Sequence, residues 1–134
     1  MGAEDKLKSL NIILPKAPDP VGAYVASKKT GNLIFISGQV PLNPSTGKLV
    51  SGTIEEETNQ VIKNIANICD AADCSLDDIV KLTIFLTNLE NFSIVNESMM
   101  KHFSEPYPAR ATVEVSALPL EVNVEIEAIV LKDV

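Results

Sequence analysis

The sequence predicts an α+β domain: one mixed sheet with two helices packed on one of its faces. Three observations carry this expectation. Strand-like and helix-like segments follow one another as β-β-α-β-α-β-β, without the strict alternation of a doubly wound α/β fold. The 134 residues fit a single domain, 1–134, since domains commonly hold roughly 100–200 residues. The strand-like run at 77–89 has one wholly apolar face and one mixed face, as expected of a sheet that helices cover on one side only.

Taken in order, residues 1–16 read as a loosely ordered lead-in. PKAPDP (15–20) carries three prolines, which favour extended backbone. Residues 22–38, GAYVASKKTGNLIFISG, read as a hairpin: a run at 23–28, a turn over Lys29, Thr30, Gly31 and Asn32, then the buried strand LIFIS. Residues 39–52, with two prolines and two glycines, read as a loop.

Thr53 then opens a helix. Glu56 three residues on completes a capping-box signature, and Glu55, Glu56 and Glu57 sit in the first turn, where the helix dipole favours negative charge. Val61, Ile62, Ile65, Ile68, Cys69 and Ala72 recur at helical spacing, and the helix ends near Ala72–Asp73. In the strand at 77–89, Leu82, Ile84 and Leu86 point to the core, while Lys81, Thr83, Phe85 and Thr87 point away. Residues 91–103 read as a second helix with Phe92, Val95, Met99 and Phe103 on its buried side, stopped by the prolines of EPYP. Two strands, 110–117 and 122–131, close the chain around Leu118-Pro119. Their nearness in sequence predicts a hairpin. Arg110, Thr112 and Glu114 then share a face of the first, and Asn123, Glu125 and Glu127 a face of the second. Paired about Pro119, the two strands would bring Arg110 and Thr112 near positions 125–129.

Composition bounds the function. Apolar residues make up 46% and charged residues 22%, with no tryptophan and 4% aromatics, so the core must be aliphatic. A net charge of −7 argues against a nucleic-acid partner, which needs a basic stripe, and against an anionic membrane surface. No run approaches the ~18 apolar residues of a membrane span. The first residues resemble neither a secretory signal nor a transit peptide. A cytoplasmic protein with Cys69 and Cys74 as free thiols is expected.

Arg110 is the only arginine. A guanidinium is planar, permanently charged and bidentate, so it suits a small carboxylate better than lysine does. A neighbouring glutamate could then orient or deprotonate a water. The competing reading is a structural Arg–Glu ion pair that closes an interface. Gly38 would let a ligand approach the backbone, with the Ser37 hydroxyl as donor, or it serves only the turn. Tyr24 and Asn96 read alone as a half-buried hydroxyl and a solvent-facing or capping amide. His102, the one histidine, has no partner set for a metal or a dyad, and no cofactor is expected. NPSTGK (43–48) resembles half a P-loop, but Leu42 and Leu49 stand where glycine and Ser/Thr belong. The half-polar sheet face predicts self-association.

GAYVAS, NLIFISGQVPLNPSTGKLV, DIVKLTIFLTNLENFSIVNE and, most specifically, PARATVEV followed by LPLEVNVEIEAI resemble the Rid family, also called YjgF or L-PSP, from about Ala17 to Lys132. The resemblance implies a chorismate-mutase-like (Rid-type) homotrimer with sites between subunits, in the branch that keeps the arginine. It implies a 2-iminobutanoate/2-iminopropanoate deaminase. Such an enzyme hydrolyses 2-imino acids or their enamine tautomers, such as 2-aminoacrylate, to 2-keto acids and ammonia. Pyridoxal-phosphate dehydratases acting on serine and threonine release these imines. The resemblance places the carboxylate-binding arginine on Arg110 and the water-orienting glutamate on Glu125 rather than Glu127. It places the rest of the substrate pocket on Tyr24, Ser37, Gly38 and Asn96. Many members have cysteine where this chain has Thr112, which keeps a small side chain in the pocket, and proline where it has Ala23. A C=N carbon is already electrophilic, so holding substrate and water in place mainly removes orientational freedom. Two other readings stay open: a ribonuclease or translation inhibitor, also attributed to family members, and a non-catalytic binder of small carboxylates.

Overall fold

The computed structural model describes residues 24–132. The lead-in expected over 1–16 and the proline segment at 15–20 lie outside the described residues. The elements are β1 (Ser27–Thr30), β2 (Leu33–Gln39), β3 (Leu42–Asn43), β4 (Lys48–Leu49), α1 (Ile54–Ala71), β5 (Ile79–Leu86), α2 (Phe92–His102), β6 (Ala109–Glu114) and β7 (Val124–Leu131). Five strands form one sheet in the order β1-β2-β7-β5-β6. Only β5 and β6 run parallel; the other neighbours are antiparallel. Both helices pack on one face, so the mixed α+β sheet is as expected.

Local chemistry explains the main elements. Thr53 caps α1, its hydroxyl accepting from the Glu56 amide at 3.2 Å. Val61, Ile62, Ile65, Ile68 and Cys69 are buried, at the positions the helical spacing predicts. The helix ends with Asp73 at φ 59°, the Cys74 amide bonding back to Cys69 O at 2.9 Å, a Schellman closure. The core set between α1 and the sheet is aliphatic, with Ile34, Ile36, Leu82, Ile84, Ile126 and Val130 among its buried members.

The structure differs from the sequence reading in four places. The first turn is tighter, since Thr30 already pairs with Leu33 and only Gly31 and Asn32 lie between. Gly31 takes φ 57° there, which glycine adopts without a Cβ penalty. The loop at 39–52 contains the small ribbon β3–β4, whose two-residue strands are too short to show a period. Asn64 of α1, fully buried, donates to Val40 O and Leu42 O at 3.1 and 2.8 Å and so anchors this segment. Phe92 is not buried on α2 but 42% exposed.

The fourth difference matters most: β6 and β7 do not pair. β5 lies between them, parallel to β6 and antiparallel to β7. β5, α2 and β6 form a strand–helix–strand unit, and a helical crossover is what a parallel pair needs. The 115–123 connection then passes over the end of β5, where Val115 N bonds Leu86 O at 2.8 Å and Thr87 N bonds Asn123 O at 3.2 Å. Register fixes the faces. Arg110 and Thr112 pair with Leu82 and Ile84 on the helix side, whereas Glu125 and Glu127 pair with Phe85 and Thr83 on the open side.

Candidate active site

Arg110 is the second residue of the edge strand β6, and its side chain rises toward α2. One Nη donates to Asn96 Oδ1 at 2.9 Å. The guanidinium carbon stands 5.2 Å from the Phe92 ring centroid, a cation–π distance. Asn96 is itself steered by Met100, its Nδ2 lying 3.8 Å from Sδ. No carboxylate among the described residues pairs with Arg110. No Arg–Glu pair forms within the chain among the described residues, and the amide is the one hydrogen-bond partner of the guanidinium among them. A cavity of about 410 Å³ opens beside Arg110 and Asn96 and runs between β5 and α2 to Leu82 and Phe103. Thr112 follows on the same face. Its Oγ1 is buried without a hydrogen-bond partner among the described residues.

A second cluster occupies the open face. At the end of β2, the Glu125 carboxylate fills the space a Cβ at residue 38 would occupy. Gly38 is thus required by this close approach and not by a positive φ. Burial, and secondarily the charge of Glu127, push the Glu125 carboxyl above its ordinary range. The Ser37 hydroxyl donates to Val25 O at 2.6 Å. It therefore presents lone pairs to a ligand rather than the donor the sequence reading assigned. Tyr24 and Ser37 line a broader hollow of about 630 Å³ with Lys81, Thr83 and Glu127.

The structure brings Arg110, Asn96 and Thr112 to one side of the sheet, and Tyr24, Ser37, Gly38 and Glu125 to the other. Within one chain it does not unite the two groups, contrary to the hairpin expectation, because β5 separates their strands. Sequence reasoning missed Phe92 and Tyr107 beside Arg110. The i,i+4 spacing of Phe92 and Asn96 was the available signal. His102 lies elsewhere, its Nε2 3.2 Å from Asn59 Oδ1. Cys69 is buried and Cys74 half-buried, both as free thiols, and burial raises both pKa values. Among the described residues no cluster of His, Cys, Asp and Glu could hold a metal. Among the same residues, no helix is long and apolar enough to cross a membrane.

Fold and site define an α+β domain whose polar groups are divided between the two faces of one sheet. Known proteins share it. The family model described as Endoribonuclease L-PSP matches residues 14–132. A RutC family protein of Pyrococcus abyssi is 47% identical over 122 residues, covering 91% of this chain and 96% of the relative. The human 2-iminobutanoate/2-iminopropanoate deaminase is 40% identical over 117 residues, covering 87% and 85%. The crystal structure of RidA from an Antarctic Psychrobacter superposes with a TM-score of 0.84 at 45% identity, covering 89% and 96%. The chain belongs to the Rid (YjgF, L-PSP) family.

Proposed function

We propose that this chain is a hydrolytic deaminase of 2-imino acids, working at sites formed between the copies of a homotrimer. One observation carries the reading: Arg110 is held by a neutral amide beside a cavity, with no carboxylate among the described residues to neutralise it. The substrate carboxylate accepts from the free N–H groups of Arg110, while Asn96 and Phe92 fix the plane of the guanidinium. Glu125 takes a proton from a water as its oxygen adds to the imine carbon. The tetrahedral adduct collapses with proton delivery to nitrogen, releasing ammonia and leaving a 2-keto acid. A carboxylate pushed above its ordinary pKa is the better proton acceptor. The names of the human relative and of a plant Reactive Intermediate Deaminase A support this chemistry.

Arg110 and Glu125 emerge on opposite faces of one sheet, so a second copy completes the site. The open face suits such a contact. Its Phe35 and Val113 are 42% and 41% exposed, and it mixes them with Lys81, Thr83 and Glu127. Pyridoxal-phosphate dehydratases supply the imines, and two free thiols fit a reducing, cytoplasmic setting.

The test generates 2-iminobutanoate from threonine with a dehydratase and follows release of the keto acid. Wild type accelerates it over the spontaneous rate; Arg110→Ala and Glu125→Ala do not. Equal rates with wild type and Arg110→Ala overturn the proposal. Cleavage of single-stranded RNA that depends on Arg110 or His102 would favour the ribonuclease reading instead.

A further inference from the structure

We infer that the cavity beside Arg110 is a side-chain subsite, and that it directs the enzyme toward 2-imino acids with branched aliphatic or aromatic side chains. The inference rests on the deaminase reading and adds the substrate class. Polarity along the cavity is graded. Arg110 and Asn96 supply its polar part, and Leu82, Met99 and Phe103 supply apolar walls. The last three are 2%, 5% and 6% exposed, so they form a fixed floor built into the core. Met100 and Tyr107 stand at the rim, 59% and 50% exposed.

That arrangement fits a molecule with an anionic head and an apolar tail attached one carbon away. In a 2-imino acid the side chain leaves the carbon next to the carboxylate. A carboxylate held on Arg110 therefore sets the tail at the mouth of the apolar part. Size points the same way. At about 410 Å³ the cavity lies in the range of roughly 300–1,000 Å³ usual for small-molecule sites. The methyl or ethyl tail of 2-iminopropanoate or 2-iminobutanoate would leave most of it to water. An isobutyl or benzyl tail would cover the Leu82 and Phe103 surfaces, and two adjacent thioethers, Met99 and Met100, adapt readily to different shapes. Each added methylene in an apolar pocket shifts specificity by about tenfold or more.

The test compares imines made by an L-amino-acid oxidase from leucine, phenylalanine and 2-aminobutanoate. The expected ratio of kcat/KM, leucine imine over 2-iminobutanoate, is about tenfold or more in wild type. Met100→Trp, a change at an exposed helical position, places bulk over the cavity mouth and lowers that ratio about tenfold. Tyr107→Ala widens the mouth and raises the share of the phenylalanine imine. A wild type that prefers 2-iminobutanoate, or ratios that neither variant moves, overturns the subsite. So does a Met100→Trp protein whose only change is in sedimentation, since another copy of the chain would then cover the cavity. Arg110→Ala separates the two claims. If it abolishes turnover of every imine while Met100→Trp and Tyr107→Ala leave the wild-type ratios unmoved, the deaminase stands and the subsite falls; if it leaves all turnover intact, the deaminase reading itself falls.

Discussion

Arg110 shows how much one side chain's surroundings decide. Its amide partner orients the guanidinium without neutralising it. Arg110→Lys keeps the charge but loses the planar fork, so kcat/KM should fall by about a hundredfold or more; wild-type turnover would refute this. Asn96→Asp should do the opposite kind of harm. It would place a carboxylate on Arg110 and raise KM at least about tenfold, whereas Asn96→Ser should not. Glu125, if it is the proposed base, should link activity to pH. Its pKa is raised by burial above the ordinary 4.5, so the folded protein holds that carboxyl proton more tightly than the unfolded chain does. That stability is complete below the ordinary carboxylate range and is lost as pH climbs through the raised value. Glu125→Gln should therefore melt above wild type at pH 7, with the two curves converging toward pH 4. The wild-type rate should fall on the acid side as Glu125 gains a proton, with a midpoint above the ordinary carboxylate range.

At the scale of elements, the packing around the site makes firm demands. Gly38→Ala puts a methyl where the Glu125 carboxylate lies. It should lower kcat far more than it lowers melting temperature, because the carboxylate can swing away while β2 stays paired. Asn64→Ala leaves the carbonyls of Val40 and Leu42 without their donor and should cost about 1–3 kcal/mol in chemical denaturation. Helix α1 was legible because its cap and its 3.6-residue pattern are local. Asn64 was not, because its value depends on two carbonyls more than twenty residues away. The ribbon β3–β4 was hidden by its brevity. The β6–β7 hairpin was misread because nearness in sequence outweighed the strand–helix–strand unit that places β6 beside β5.

For the whole molecule, the division of the proposed site between two sheet faces makes a sharp test. Arg110→Ala and Glu125→Ala proteins, each inactive, should regain activity when unfolded together and refolded. Random assembly gives about a quarter of the sites both wild-type groups if neighbouring copies share each site. No recovery is possible if one chain supplies both. Phe35→Glu on the open face should reduce sedimentation to that of a single chain and abolish turnover with it.

The sequence by itself determined the longer elements, the aliphatic core, the family and the residue types gathered around the candidate chemistry. Those follow from short-range patterns: two- and 3.6-residue periods, caps, prolines and one lone arginine at the start of a strand. Only the tertiary structure decided which strand stands between β6 and β7, and hence from which side of the sheet Arg110 and Glu125 emerge. A period-two pattern tells which residues share a face of their own strand. The face itself is set by pairing with a distant neighbour, and here that neighbour, β5, turns the two groups of candidate residues away from each other.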